Sequence, residues 1–288
     1  MKPITYETYQ EKILRVHLKI REVLAAGEEV PSLLTLAETA NLSPFHFHRI
    51  FKGLTGESLA DHIRRLRLEF AASQLKFSEK GITMIALDAG YESHEAFTRA
   101  FNRCFGQAPS VYRDACGDLS GKGIMMNVTI KKIAARKVLF VRHTGPYAEC
   151  GKAWATLCGW AGKNRLMGMG TKFLGLSYDD PEVTLADKIR YDACLTVNKE
   201  VVPQYPVALQ EIPAGEYACY VHEEPLEKLH ATYLKLQGEW LPHSGRALKA
   251  LPSVEIYLND PERTPPQKLK VEIQLPLDAK RPMCGANV

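Results

Sequence analysis

The chain has 288 residues, of which 45% are hydrophobic and 24% charged, and a formal net charge of +4. Collagen-like, low-complexity and wholly disordered chains are excluded, because 20 Gly and 17 Pro show no period and apolar residues are plentiful. No apolar run reaches the roughly 20 residues needed to cross a bilayer, and MKPITYETYQEKI at the amino terminus lacks the apolar core of a signal peptide. A cytoplasmic protein without a membrane partner is expected.

Seven cysteines form no CxxC pair, so neither a disulfide framework nor a structural zinc is supported, and no metal or cofactor is expected. Length suggests two domains. Gly117, Gly121 and Gly123 mark a linker at 116–126, which separates 1–115 from 127–288. Net charge is too small to imply a nucleic-acid partner; that must come from where the charges sit.

The first part reads as all-α. Ile13, Val16, Ile20, Val23 and Leu24 recur at helical spacing, and so do Leu59, Ile63, Leu66 and Phe70. It also repeats itself. Leu36-Ala-Glu-Thr-Ala-Asn-Leu-Ser43, followed by Phe47-x-Arg49-x-Phe51 and Gly56, matches Ile85-Ala-Leu-Asp-Ala-Gly-Tyr-Glu-Ser93, followed by Phe97-x-Arg99-x-Phe101 and Gly106. Asn41 and Gly90 occupy turns where a left-handed backbone is cheapest. Ser43 and Ser93 are N-caps, and Pro44 takes the favoured first helical position. Two helix-turn-helix units follow.

In each second helix the phenylalanines form the core stripe and a polar set faces away. Phe45, His48, Arg49 and Lys52 share one such face; His94, Glu95, Thr98, Arg99 and Asn102 share the other. These side chains can read base edges in a major groove of double-stranded promoter DNA. His46 joins the DNA-facing candidates; it lies on a different helix face from His48, which argues against a metal pair. The segment from Ser58 to Ser78 predicts a spacer helix about 30 Å long, close to the ~34 Å between successive major-groove faces. Its Arg64, Arg65 and Arg67 are candidate phosphate contacts.

Residues 8–113, through LAETANLSPFHFHRIFKGLTGESLADHIRRLRL and ITMIALDAGYESHEAFTRAFNRCFGQAPSVYR, resemble the AraC/XylS family DNA-binding domain of the MarA/SoxS/Rob type. The resemblance implies base reading by Phe45, His48 and Arg49 and by His94, Glu95, Thr98 and Arg99. Family members often carry Trp and Gln where Phe45, His48, His94 and Glu95 stand, so the operator does not carry over from a relative.

The second part reads as α+β, with strands at Val138–Val141, Ala193–Val197, Ser253–Tyr257 and Val271–Leu275. Ile133…His143-Thr-Gly-Pro146 recurs at an offset of 79 as Ile212…His222-Glu-Glu-Pro225, and the offset becomes 80 for Trp160 and Trp240. A duplicated βαββ architecture with a cleft between its halves is expected. Alternation points Val254, Ile256 and Leu258 under the helix and Ser253, Glu255 and Tyr257 the other way. Treating Val271, Ile273 and Leu275 as core likewise sets Lys270, Glu272 and Gln274 opposite. The expectation is that Glu255, Tyr257 and Glu272 project together from adjacent strands.

GPY at 145–147, YDAC at 191–194 and VEIYLNDP…KVEIQLPL at 254–277 resemble the GyrI-like (SHS2-duplicated) small-molecule-binding domain. The resemblance implies a cleft for amphipathic, often cationic organic compounds. Glu255 and Glu272 match its acidic positions, and Tyr147, Trp160, Trp240 and Tyr257 are the aromatic candidates; Trp160 and Trp240 also suit a helix core. Carboxylate and ring faces fit an organic cation.

A one-component transcription regulator is expected, an activator that works with RNA polymerase and senses a small hydrophobic or cationic effector; it is not expected to be an enzyme. Two alternatives stay open. One is a GyrI-like hydrolase in which Glu272 or Glu255 activates water; the other is a gyrase-directed protein-binding module.

Overall fold

Two copies of one helical unit on either side of a long helix form the amino-terminal part of the computed structural model, which describes residues 6–278 apart from 27, 79, 116–125, 169 and 262. The linker expected at 116–126 lies outside the described residues except for Met126. The first unit comprises α1 (Tyr6–Ala26), α2 (Leu33–Thr39) and α3 (Pro44–Thr55); the spacer α4 (Leu59–Phe77) leads to α5 (Ile82–Asp88), α6 (His94–Phe105) and α7 (Pro109–Ala115).

The repeat extends to the caps. The Ser43 hydroxyl accepts from the His46 amide, and the Ser93 hydroxyl accepts from the Ala96 amide. Gly56 and Gly106 end α3 and α6 with φ of 76° and 73°, and Asn41 and Gly90 take φ of 49° and 76° in the two turns. Phe47 and Phe51 are buried in one core, Phe97 and Phe101 in the other. Burial of each such ring contributes about 2–3 kcal/mol.

The carboxy-terminal part consists of β1 (Thr129–Ile133), β2 (Arg136–Thr144), α8 (Gly151–Lys163), β3 (Phe173–Ser177), β4 (Arg190–Thr196), β5 (Ala208–Ile212), β6 (Gly215–His222), α9 (Leu229–Lys235), α10 (Leu241–His243), β7 (Ser253–Tyr257) and β8 (Val271–Leu277). Its sheet is antiparallel throughout, in the order β1-β6-β8-β7-β3-β4-β2-β5. β1 and β2 stand six places apart, which would be about 29 Å in a flat sheet, yet only Ala134 and Ala135 join them. β5 and β6 stand equally far apart and are joined by Pro213 and Ala214. The sheet therefore curls until its edges approach.

The curl makes two unlike faces. The outer face carries α8 over Leu139, Val141, Tyr191, Ala193 and Leu195, and the α9–α10 segment over Ala218, Ile273, Leu275 and Leu277. The inner face gathers Val138, Phe140, Leu174, Leu176, Cys219, Val254 and Ile256, and Leu14 of α1 is buried in the same cluster. The first helical unit is thus seated against the concave side of the sheet.

Between α9 and α10 lies one π-helical turn, Leu236–Trp240. A π turn takes up one extra residue in a helix, which accounts for the change of repeat offset from 79 to 80. The repeat also keeps a local lock: His143 Nε2 meets the Pro146 carbonyl at 3.0 Å, and His222 Nε2 meets the Pro225 carbonyl at 3.2 Å. No helix among the described residues is long and apolar enough to cross a membrane.

Candidate functional sites

The capped amino termini of α3 and α6 present the two polar sets outward. Phe45, His46, His48, Arg49 and Lys52 are all exposed on α3; His94, Glu95, Arg99 and Asn102 are exposed on α6. Thr98 is the exception, half-buried with its hydroxyl covered by protein. Phe45 is 67% exposed, and the Arg49 guanidinium lies over its ring at 5.4 Å. That contact costs the arginine little freedom on binding, because a cation over an aromatic face is already held. Hydrogen bonds from the Glu95 amide and the Ser93 side chain keep the Glu95 carboxyl below its ordinary value, so this face of α6 offers an acceptor beside the donors of Arg99 and Asn102.

The three spacer arginines part company. Arg64 is exposed and pairs with Asp61. Arg67 lies beside Gly90, where an added Cβ would meet its guanidinium at 2.9 Å. Arg65 does not face outward, contrary to the phosphate contact expected of it. Its guanidinium is bound by Glu57 at 2.8 Å and by Glu69 at 3.0 Å, all three being largely buried. Burial alone would raise the Glu57 carboxyl, but hydrogen bonds from His62 and Arg65 hold it at about 2.

The second site lies on the outer face of the sheet, where β3 and β7 run between α8 and α9. Glu255 is 4% exposed, and its carboxylate accepts from the Ser177 hydroxyl at 2.6 Å and the Tyr233 hydroxyl at 3.0 Å. Burial pushes its pKa up, against the pull of those two donors. Aromatic rings surround it. Tyr257 bonds the Tyr191 hydroxyl at 3.0 Å, and Trp154 stands edge-on to Tyr257 at 5.6 Å. Tyr147 stands edge-on to Tyr191 at 5.9 Å. Gly175 makes room for this arrangement: a Cβ there would lie 2.3 Å from the Tyr191 hydroxyl.

Tyr147, Glu255 and Tyr257 are thus brought together, but Glu272 is not. Directly opposed residues of antiparallel strands share a face, and Glu255 opposes Ile273 while Glu272 opposes Ile256. Glu272 therefore sits on the inner face, paired with Lys131 at 2.7 Å, and Val254 and Ile256 face inward with it rather than under a helix. Trp160 and Trp240 pack half-buried against the hydrophobic clusters beneath their own helices. Trp154 and Tyr233 are not among the residues expected from the sequence, and Tyr191 enters there only within the YDAC motif. Trp154 and Tyr233 do stand 79 apart, at matched helix positions of the repeat, a signal that could have found them. A cavity of about 210 Å³ lies elsewhere, between the end of α4 and Leu241, Arg246 and Leu248.

Residues 126–278 match the family described as GyrI-like small molecule binding domain, and residues 36–115 match a helix-turn-helix domain. The chain is 40% identical over 102 residues to the regulatory protein SoxS of Escherichia coli, covering 34% of this chain and 95% of SoxS. It is 42% identical over 78 residues to the HTH-type transcriptional regulator YbfP of Bacillus subtilis, covering 27% of this chain and about a quarter, 26%, of YbfP. The crystal structure of the EcmrR C-terminal domain superposes with a TM-score of 0.45 at 18% identity, covering 54% of this chain and 99% of that one.

Proposed function

Because this chain belongs to the AraC/XylS family of DNA-binding transcription regulators and carries a GyrI-like domain, we propose that the buried group around Glu255 on the outer face opens as a cleft for a lipophilic organic cation and that the bound cation tunes promoter recognition. One observation carries this reading. The buried carboxylates of Asp192, Asp179, Glu57 and Glu69 are each paired with an arginine, whereas Glu255 is held among the described residues by two hydroxyls and no cation. A buried charge without a counter-charge is costly, and a cation flanked by aromatic faces would supply it.

On the DNA side, α3 and α6 are proposed to enter consecutive major grooves. The 19 residues of α4 span about 28 Å, against roughly 34 Å between like groove faces. Arg49 and Arg99 are assigned to base edges, with Phe45, His46, His48, Lys52, His94, Glu95 and Asn102 around them. Activation through RNA polymerase is the mode proposed for the bound state. Water activation by a glutamate has less support, since Glu272 is paired with Lys131 and Glu255 accepts two hydroxyl bonds.

Titration calorimetry with tetraphenylphosphonium tests the cleft. Glu255→Gln is expected to weaken the cation at least about tenfold, or ~1.4 kcal/mol, while DNA affinity without the cation stays the same. Equal affinity in the wild type and the variant would remove Glu255 from the site.

A further inference from the structure

We propose that Lys76, in the last turn of the spacer α4, is the positioning residue through which occupancy of the Glu255 cleft reaches the two DNA-reading units; this rests on the cleft reading above. Two walls of the cleft converge on it. From one wall, the Tyr147 hydroxyl donates to the Asp179 carbonyl at 2.5 Å and accepts from the Asp179 amide at 3.2 Å. Asp179 lies in the segment 178–189 between β3 and β4, and the residue after it, Asp180, takes Lys76 at 3.3 Å. From the other wall, Tyr233 holds Glu255, and His230, one helical turn earlier on α9, bonds Glu182 at 2.9 Å. Glu182 also pairs with Lys76, and its amide donates to Asp180 at 2.9 Å. The Lys76 side chain is only 8% exposed, and its ammonium lies between these carboxylates.

The same β3–β4 segment touches both reading units directly. Lys188 donates to the Thr55 carbonyl at the end of α3 at 2.7 Å, and Val183 packs on the cluster that holds Phe97 and Phe101. At its base, Arg190 grips Asp179 through two guanidinium bonds of 2.9 and 2.6 Å. The segment therefore moves as a unit when either tyrosine is displaced. A cation that takes over the Glu255 carboxylate must compete with the Tyr233 hydroxyl, and a body seated among the rings must press on Tyr147. Either shift alters the geometry at Lys76 and hence the set of α4, which fixes the spacing of α3 and α6. A ligand acts only through a difference in affinity between two states, and here the two states differ in how tightly residues 178–189 hold α4.

The test uses the full chain, tetraphenylphosphonium, and a duplex selected by genomic enrichment of bound DNA. Cation affinity is read by calorimetry, and DNA affinity by fluorescence anisotropy with and without saturating cation. In the wild type the cation is expected to change DNA affinity by at least about fivefold, the lower end of typical coupling. In Lys76→Ala, which releases the hold on α4, cation-free DNA affinity is expected to move to the wild type's cation-saturated value, so that the ratio collapses to about one while the cation still binds; Lys76→Arg restores both. Glu182→Gln, on the more exposed carboxylate, is expected to give an intermediate ratio. A ratio undiminished in Lys76→Ala, or a wild type that binds the cation with no change in DNA affinity, would overturn the coupling role alone. Failure of the cation to bind at all would overturn the cleft reading and the coupling with it.

Discussion

His17 and His62 stack 4.9 Å apart with 18° between their ring planes, where α1 meets α4, and the edge of Phe51 closes the group. Burial drives the His17 pKa well below its ordinary 6.5, and the charges of His62, Arg142, Arg190 and Arg65 push the same way. Burial likewise lowers His62 in spite of its bond to Glu57.

A pH dependence follows. The unfolded chain protonates these histidines near 6.5 while the folded chain resists, so stability is complete above that pH and falls as pH drops below it. Thermal unfolding is expected to show a declining midpoint between pH 7 and pH 5, with a shallower decline in His17→Gln. Glu57, held at about 2, stays ionised across this window. An identical pH profile in His17→Gln would assign the acid sensitivity to other groups.

Arg49→Ala and Arg99→Ala are each expected to weaken specific promoter binding by about 1–3 kcal/mol with the fold intact. Phe45→Ala, which frees the Arg49 guanidinium, should cost less and act only when Arg49 is present. Footprinting of the three single variants and the Phe45/Arg49 double variant checks both statements.

Arg65→Met is expected to act on folding instead. Removal of one partner strands Glu57 and Glu69 in a largely buried site, a loss of about 3 kcal/mol or more. Urea unfolding should show it, whereas Arg64→Met, on the exposed side of the same helix, should shift the midpoint within about 0.5 kcal/mol.

The contrast between Arg64 and Arg65 shows where sequence reading stops. The paired reading units were legible because everything that builds them is local: Ser43 and Ser93 cap, Gly56 and Gly106 terminate, and Phe47-x-x-x-Phe51 recurs as Phe97-x-x-x-Phe101. Arg65 depends on Glu57, eight residues away across a helix start, and its burial is a property of the assembled bundle. The cleft was half legible for a related reason. Alternation separates the two faces within a strand, but the register of β7 on β8 decides which faces coincide, and that register parted Glu255 from Glu272. Trp154 belongs to the cleft only because α8, lying over β2 and β4, brings it against Tyr257 at the end of β7, a relation between residues a hundred apart.

Gly175→Ala offers a test of the cleft floor that involves no charge. The new methyl would collide with the Tyr191 phenol, and overpacking of this kind costs about 1–3 kcal/mol. Calorimetric unfolding should show that loss, together with weaker binding of an aromatic cation. Pairing the substitution with Tyr191→Leu, which withdraws the ring, should recover much of the stability but none of the binding.

The exchange of outer strands in the duplicated domain has a further consequence. β1 leads into the first repeat yet hydrogen-bonds to β6 of the second, and β5 leads into the second yet hydrogen-bonds to β2 of the first. Each half thus wears the other's border, like two hands with fingers hooked. Severing the polypeptide between the halves would leave each one baring an unfinished rim to any neighbour, so the pair endures as a clasp or comes undone together.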